Sequence, residues 1–328
     1  MMKLLVTGGL GFIGSNFITN LIKNFPDIHI TNVDAELLGS NHQNLSEISN
    51  SSNYNFVKGN ITNRILMEKL IDDTDCIINF AAESFVDRSI LDANQFLVSN
   101  IRGTYTLLEI LRHNKKRMVQ ISTDEVYGSL KTGSALEETK FNPSNPYAAT
   151  KASAELLINS YVMTYGLDCV ITRCTNNYGP RQFYEKLIPK TILLASQNKK
   201  IPIYGTGKNI RDWIYVDDHC AAVHKVLDEG KTGESYNISS NNEIDNLTIV
   251  KKILEIMNKS NDLIEFVDDR PGHDLRYSLD SSKIRNSLNW NNITNFEEGL
   301  QKTIEWVEIE SKNNNIDPNI LNSTPWKK

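Results

Sequence analysis

Two short stretches of this 328-residue sequence carry residues whose types and spacing suit proton transfer. In Tyr147-Ala148-Ala149-Thr150-Lys151 a phenol and an ammonium lie four residues apart, on one face of a helix. A lysine ammonium beside a tyrosine phenol favours the phenolate, lowering a pKa that starts near ~10 and making Tyr147 a base for a sugar or alcohol hydroxyl. The spacing alone also fits an ordinary helix surface; it gains meaning only behind a dinucleotide fold. The second stretch, Ser122-Thr123-Asp124-Glu125-Val126-Tyr127-Gly128, follows the strand-like Arg117-Met118-Val119-Gln120-Ile121. In an open α/β sheet, ligands bind outside the carboxyl ends of the strands, so Thr123, Asp124 and Glu125 fall where chemistry is expected. Two adjacent carboxyl groups suit a reaction that needs an acid and a base at one pH.

The upstream chain supplies the elements to position them. Lys3-Leu4-Leu5-Val6 reads as a buried strand, and residues 15–23 as a helix. Between them lies Gly8-x-x-Gly11-x-x-Gly14, with Phe12 and Ile13 inside it. Glycines at this spacing permit a tight turn, close approach of backbone to a pyrophosphate, and close helix–strand packing. Asp34 ends the next strand, at the distance where an acid accepts hydrogen bonds from the ribose and repels a 2′-phosphate. NAD is therefore expected over NADP. Ala81-Ala82, after a strand over 76–80, are small enough for a cofactor to lie against the backbone.

Further strands are expected at 54–58, 117–122 and 169–173, and helices at 61–72, 95–113 and 147–165, with an irregular loop over 39–53. Asn145 or Ser144 would cap the last of these helices, with Pro146 in its first turn. The alternation predicts a Rossmann-type, doubly wound parallel sheet with a smaller α/β substrate-binding lobe. After Pro180 the pattern shifts: strands at 200–204, 211–215, 235–238 and 264–267; helices at 187–196, 216–228, 247–257 and 296–310; a polar, loosely held tail over 312–328. The expected division is 1–180, with 213–239 returning to it, against 181–212 and 240–328.

Composition limits the partners. A net charge of −5 offers nothing to nucleic acid or an anionic membrane, and no apolar run is long enough to span a bilayer. Cys76, Cys169, Cys174 and Cys220 form no C-x-x-C pair and read as reduced, buried thiols, which implies a cytoplasmic compartment and no metal site.

Longer strings carry a resemblance. The glycine turn, Asp34 and the Tyr147/Lys151 pair together look like an extended short-chain dehydrogenase/reductase. Ala81-Ala82-Glu83-Ser84-Phe85-Val86-Asp87-Arg88-Ser89, the Thr123-Asp124-Glu125 string, Asn176-Asn177-Tyr178-Gly179-Pro180, Glu185-Lys186-Leu187-Ile188-Pro189, Arg211-Asp212-Trp213 and Asp269-Arg270-Pro271-Gly272-His273-Asp274 narrow it. They resemble the nucleotide-sugar 4,6-dehydratases, most closely those acting on dTDP-glucose, over residues 3–306. The acid pair is the specific mark, since epimerases of the superfamily lack it.

The resemblance implies that Tyr147, assisted by Lys151, takes the proton of the sugar's 4-hydroxyl while hydride passes to NAD, with Thr123 hydrogen-bonding the carbon 4 oxygen. Glu125 then removes the carbon 5 hydrogen and Asp124 protonates the departing 6-hydroxyl. Hydride returns to carbon 6, giving a 4-keto-6-deoxy sugar for deoxysugar (rhamnose) biosynthesis and regenerating a tightly bound NAD. It further implies Asn60, Ile61, Ser99 and Asn177 beside the cofactor. Ser84, Asn176, Lys186, Leu187, Pro202, Ile203, Tyr204, Arg211, Asn246, Arg270 and His273 would hold the substrate. Arg211 and Arg270 have an independent reason, since guanidinium forks suit phosphate; Arg211 also reads as a surface charge and Asn246 as a helix cap.

Three departures affect the cofactor side: Phe85 where the family has His, Asn60 where Asp is usual, and the segment Ala35-Glu36-Leu37-Leu38-Gly39. The resemblance favours dTDP and leaves UDP-glucose open, since one methyl group is worth only about 1–3 kcal/mol to a pocket. It also implies a homodimer built on the two long helices, 95–113 and 147–165. The alternatives are a nucleotide-sugar 4-epimerase or decarboxylase on the same scaffold, and a catalytically silent NAD-binding sensor.

Overall fold

Met2–Thr7 (β1) buries Leu4, Leu5 and Val6 almost completely. A strand apolar on both faces belongs in the middle of a covered parallel sheet. The structure, a computed structural model that describes residues 2–313 together with Leu321 and Trp326, places it there. The remaining strands are β2 (Ile28–Asp34), β3 (Tyr54–Lys58), β4 (Cys76–Asn79), β5 (Arg117–Thr123), β6 (Cys169–Cys174), β7 (Asn176–Tyr178), β8 (Ile201–Tyr204), β9 (Ile210–Tyr215), β10 (Ser235–Ile238), β11 (Glu243–Asp245) and β12 (Ile264–Val267). Seven form one sheet in the order β10-β6-β5-β4-β1-β2-β3, every neighbour parallel. The order reverses between β1 and β4, which opens the crevice where such sheets bind ligands.

Alternate residues of β1 face opposite layers. Leu4 and Val6 pack with Phe17, Ile18 and Val223, from α1 (Phe12–Asn24) and, further along the chain, the helix Val216–Glu229. Leu5 packs with Met67, Leu107, Leu111 and Ile158 on the other side. That layer holds α2 (Arg64–Asp72) and two longer helical runs; α3 (Val86–Leu91) lies beside it. The first run begins as α4 (Asn94–Phe96), passes through a π-helical turn over Leu97–Gly103 and continues as α5 (Thr104–Asn114). The second is α6 (Pro146–Tyr165): Asn145 Oδ1 accepts from Ala148 N at 2.9 Å, Pro146 occupies the first turn, and Gly166 ends the helix at φ +66°.

The smaller part of the fold contains the three-stranded sheet β11-β9-β7 and the parallel pair β12-β8. Against these lie α7 (Leu187–Ser196), then, after α8 (Val216–Glu229), α9 (Asn246–Ile256) and α11 (Phe296–Asn313), around Tyr178, Ile188, Trp213, Ile249 and Leu300. Helix α10 (Ser282–Leu288) precedes α11.

Some local structure departs from expectation. The loop over 39–53 contains a 3-10 helix, His42–Ile48, capped by Asn41, with Leu45 and Ile48 buried; two apolar residues in a run of Asn, Gln and Ser gave no readable period. The helix over 95–113 is interrupted by its π turn. Strands β7 and β11 and helices α3 and α10 are too short to announce themselves. The expectation for the tail beyond residue 313 lies outside the described residues, Leu321 and Trp326 excepted. All four cysteines are free, three buried and Cys76 half-buried.

One glycine fixes the turn that carries the acid pair. β5 ends at Thr123, whose hydroxyl accepts from Glu125 N at 3.3 Å and starts a single 3-10 turn over Asp124–Tyr127. Gly128 leaves it at φ +70°, and a Cβ there would stand 2.1 Å from the Asn142 carbonyl oxygen. Gly128→Ala is expected to destabilise the protein by about 1–3 kcal/mol. A urea midpoint unchanged from the unmodified protein would show that this turn is not fixed by its backbone.

Candidate active site

Two cavities meet at the acid pair. The larger, about 300 Å³, opens beyond the carboxyl ends of the neighbouring strands β1 and β4. Every residue singled out for the cofactor lines it: Gly8, Gly11, Phe12, Ile13 and Gly14 on the first turn, Asp34 at the end of β2, Asn60 and Ile61 after β3, Ala81 and Ala82 after β4, Ser99 on the π turn, Tyr147 and Lys151 on α6, and Asn177 on β7. The first turn is packed so tightly that only glycine fits. A Cβ on Gly8, at φ +70°, would lie 2.7 Å from the Ala81 backbone, and one on Gly14 would lie 2.6 Å from the Gly8 carbonyl oxygen. Gly11 caps α1 without a side chain, which leaves the helix's first N–H groups for an anion.

Asp34 is organised by its own turn. Its Oδ2 accepts from Leu10 N at 3.0 Å, and its Oδ1 accepts from Glu36 N and Ser40 Oγ, each at 2.8 Å. The divergent 35–39 segment thus contributes a backbone donor through Glu36, held at φ +56° and ion-paired with Lys58. Asn60 turns its Oδ1 onto Thr62, at 2.9 Å from both N and Oγ1. Two buried wall atoms, Ser122 Oγ and Asn177 Oδ1, have no partner among the described residues. The tight glycine turn, the open helix end and these two polar atoms together fit a dinucleotide.

At the junction, Thr123, Asp124, Glu125, Tyr147 and Lys151 all face the first cavity, and Glu125 also faces the second. Asp124 is buried with Oδ1 accepting from Thr123 Oγ1 at 3.2 Å and Oδ2 unpartnered. Burial, then the Glu125 charge beside it, push its pKa from 3.8 up to about 8, so it carries a proton at neutral pH. Glu125 Oε2 accepts from Asn145 Nδ2 at 3.0 Å and lies 3.3 Å from the Tyr277 hydroxyl, whose shorter hydrogen bond, 2.6 Å, goes to Asp274 Oδ2. The neighbours therefore differ: Asp124 is a proton donor whose Oδ2 has no partner among the described residues, and Glu125 is an acceptor held by Asn145.

Tyr147 corrects an expectation. Its pKa is pushed up, not down: burial is the largest cause and the Glu125 charge the next, with Cys174 and Asp124 adding to it once they ionise, against a lowering hydrogen bond from Thr123. Lys151 Nζ donates a hydrogen bond to the Ile121 carbonyl at 2.6 Å, and burial pulls its pKa down to about 8. Both residues lie on α6 as the spacing predicts, and the burial of both is invisible in that spacing.

The second cavity, about 170 Å³, is lined by Asn176, Lys186, Leu187, Pro202, Ile203, Tyr204, Arg211, Asn246, Arg270 and His273. Ser84 and Thr123, of the substrate candidates, face only the first cavity. Arg211 is buried, not a surface charge. It lies over the Tyr277 ring at 4.3 Å and donates to the carbonyls of Ile210 and Asp274, leaving its charge uncompensated by any direct carboxylate bond. Lys186 donates to the Ser84 carbonyl at 2.9 Å and sits 4.8 Å above the Phe85 ring. Arg270 pairs with Asp87 at 2.7 Å while its buried Nε has no partner among the described residues. Burial, followed by the Arg270 charge, pulls His273 down to about 4, so it is neutral. Tyr204 donates to Asp87 at 3.1 Å and meets Trp326 edge-on at 4.5 Å. Asn246 lines the wall and does not cap α9; Asp245 does, accepting from Thr248 N at 2.9 Å.

Sequence reasoning missed Asp87 and Tyr277 as site residues. Asp87 lies inside a string quoted above and Tyr277 three residues beyond another, but their partners lie 183 and 152 positions away. Phe85, buried where the family has His, packs on Phe183 at 5.3 Å and forms wall to both cavities. Among the described residues there is no cluster of three potential metal ligands, and no helix is long and apolar enough to cross a membrane.

The raised Asp124 pKa makes a stability prediction independent of any substrate. Between pH of about 4 and about 8 the folded protein holds a proton that the unfolded chain has lost, so this group's contribution to stability falls as pH rises. Asp124→Asn removes that dependence. Its melting temperature is expected to exceed that of the unmodified protein by a margin of a few degrees that grows across this window. A margin constant with pH would mean that Asp124 ionises normally.

Residues 5–303 match a family model described as GDP-mannose 4,6 dehydratase. The chain is 48% identical over 306 residues to the low-salt glycan biosynthesis protein Agl12 of Haloferax volcanii, covering 93% of this chain and 98% of that one. It is 43% identical over 309 residues to a dTDP-glucose 4,6-dehydratase of Mycobacterium tuberculosis, covering 93% of each. The crystal structure of DesIV, a dTDP-glucose 4,6-dehydratase from Streptomyces venezuelae with NAD and TYD bound, superposes with a TM-score of 0.93 at 41% identity, covering 95% of this chain and 98% of that one. With the glycine turn, the Tyr147/Lys151 pair and the acid pair all at one junction, the chain belongs to the nucleotide-sugar 4,6-dehydratases of the extended short-chain dehydrogenase/reductase family.

Proposed function

We propose that the protein dehydrates dTDP-glucose to dTDP-4-keto-6-deoxyglucose with NAD as resident cofactor. The observation that carries this is the acid pair: Asp124, protonated with a free Oδ2, beside Glu125, where the two cavities join. NAD would lie along Gly8, Gly11 and Gly14, with its ribose at Asp34, Asn60 and Ile61 alongside, and its nicotinamide between Ala81, Ala82, Ser99, Asn177 and Tyr147. The chemistry it supplies when bound is acceptance of hydride from carbon 4 and return of hydride at carbon 6.

The chain's own residues move the protons. Tyr147 takes the proton of the 4-hydroxyl, and Thr123 hydrogen-bonds that oxygen. Burial holds the phenol up, so its deprotonation depends on nearby positive charge, which Lys151 and an oxidised nicotinamide ring provide. Once carbon 4 is a ketone, Glu125 takes the hydrogen of carbon 5 and Asp124 gives its proton to the leaving 6-hydroxyl, which departs as water. Arg211, Arg270 and Lys186 hold the diphosphate, with Asn176, Leu187, Pro202, Ile203, Tyr204, Asn246 and His273 around the nucleotide and Ser84 at the sugar.

The same reading divides the chain into a cofactor part (1–180 with 213–239) and a substrate part (181–212 and 240–328). It places the enzyme in the cytoplasm, in deoxysugar synthesis. It also pairs two copies through α5 and α6, where Tyr105, Leu156, Met163 and Tyr165 are exposed. Light scattering at micromolar protein should give the mass of two chains; one chain's mass would refute the dimer.

The deciding experiment is to incubate the protein with dTDP-glucose and with UDP-glucose and weigh the products. Loss of one water is expected with dTDP-glucose. An unchanged mass with an inverted carbon 4 would make the protein an epimerase, and turnover of UDP-glucose alone would move the nucleotide assignment.

Single turnovers separate the roles. Tyr147→Phe should give no nicotinamide reduction on mixing with substrate. Asp124→Asn should reduce nicotinamide normally but slow elimination by ~10²–10⁴, so that the 4-keto sugar accumulates. If Asp124→Asn loses water at the unmodified rate, Asp124 is not the acid.

A further inference from the structure

Behind the active site lies a buried ion pair that the proposed dehydration does not use. Glu155 follows Lys151 by one helical turn on α6 and is fully buried. Its Oε2 accepts two hydrogen bonds from Arg173 on β6, from Nε at 2.9 Å and from Nη2 at 2.7 Å, while its Oε1 has no partner. Arg173, also buried, spends its remaining donors on the Tyr127 hydroxyl at 2.5 Å, the Glu137 carbonyl at 2.9 Å and Ser235 Oγ at 3.1 Å. Its guanidinium lies over the rings of Tyr127 and Phe141 at 5.2 and 5.1 Å. Tyr127 is the last residue of the turn that carries Asp124 and Glu125.

Such a pair is costly to bury, and replacing it with apolar side chains is often neutral or stabilising. Its position gives it a use. Lys151 is an ammonium in the same dry interior, with one carbonyl as its acceptor. We propose that Glu155, fixed by Arg173, is a positioning residue for Lys151, keeping its ammonium charged one turn from Tyr147 while Arg173 ties the same network to the acid-bearing turn. This rests on the reading of Tyr147 and Lys151 given above.

The other groups around Lys151 do not serve instead. On α6 it has Tyr147 and Glu155. From β6 it meets Cys174, a thiol that burial pushes up to about 12, and from β5 the Ile121 carbonyl. Asp124 and Glu125, on the turn after β5, act on Tyr147. Asp87 and Arg88 of α3 are engaged with Arg270 and Glu185, and Glu109 of α5 bonds Tyr161 at the far end of α6. Glu155 is the largest influence opposing the loss of charge that burial imposes on Lys151.

The test uses the NAD-loaded protein and single-turnover nicotinamide reduction with dTDP-glucose across pH. Glu155→Gln should move the alkaline limb of the rate to lower pH by ~1 unit or more, with Glu155→Asp restoring much of it. The double variant Glu155→Met with Arg173→Met removes both charges and should fold even if Glu155→Gln does not. A lowered limb in this variant supports the electrostatic role; a limb like that of the unmodified protein overturns it, because packing alone would then account for the pair. Competitive labelling of Lys151 with a small acylating reagent, read by peptide mass, gives the same answer without turnover. Its half-labelling pH should fall in the double variant, and no fall overturns the inference. Absence of nicotinamide reduction in the unmodified protein would sink the dehydratase reading and leave this labelling result standing.

Discussion

Two carboxyl groups side by side in a dry pocket resist ionising together, and the site is arranged around that constraint. Asp124 yields because it is the more buried of the two and has no donor on Oδ2. Glu125 accepts from Asn145 at the start of α6 and lies beside Tyr277, from the substrate-side segment after β12. The difference between acid and base is thus set by elements distant in sequence. It requires the strand end, the 3-10 turn, the helix cap and the second cavity to be correctly placed at once.

The same demand explains where the cations stand. Arg211 reaches Asp124 and Glu125 only through space, since its hydrogen bonds go to backbone carbonyls. Arg270 is balanced by Asp87. A diphosphate would meet guanidinium groups already oriented by partners other than the acid pair, so anchoring the substrate need not take Glu125 out of service.

The large sheet was legible because its strands are short apolar runs between glycine turns and helices, a pattern that leaves few topologies. The cofactor turn was legible because Gly8 and Gly14 stand where no Cβ fits, a steric fact that leaves a mark at fixed spacing. Family strings located most of the second cavity's wall. Electrostatics was less accessible. Tyr147 and Lys151 form a proper pair by spacing, yet burial shifts both in the direction that opposes a phenolate. Nothing in a five-residue motif reports how dry its surroundings are. Asp87 and Tyr277 were hidden for a related reason: their significance lies in partners brought together only by the fold. The 3-10 helix His42–Ile48 escaped because Leu45 and Ile48 are its only large apolar residues.

The π-helical turn over Leu97–Gly103 holds one residue more than an α-helical path of the same length needs. Two wall contacts come from it. Ser99 faces the first cavity, and Asn100 accepts from Glu83 N at 2.9 Å and donates to Thr150 Oγ1 at 3.0 Å, joining the loop after β4 to α6. Losing one residue from this turn would let the helix run at its normal pitch with its flanks in place, but the residues within the turn would shift by one position, each turned by roughly 100° about the axis. Ser99 and Asn100 would then point elsewhere without either having been substituted. The aim of these two side chains is a matter of arithmetic along the chain, so a comparison that scores residue identity and ignores single-residue gaps would overlook the change that matters here.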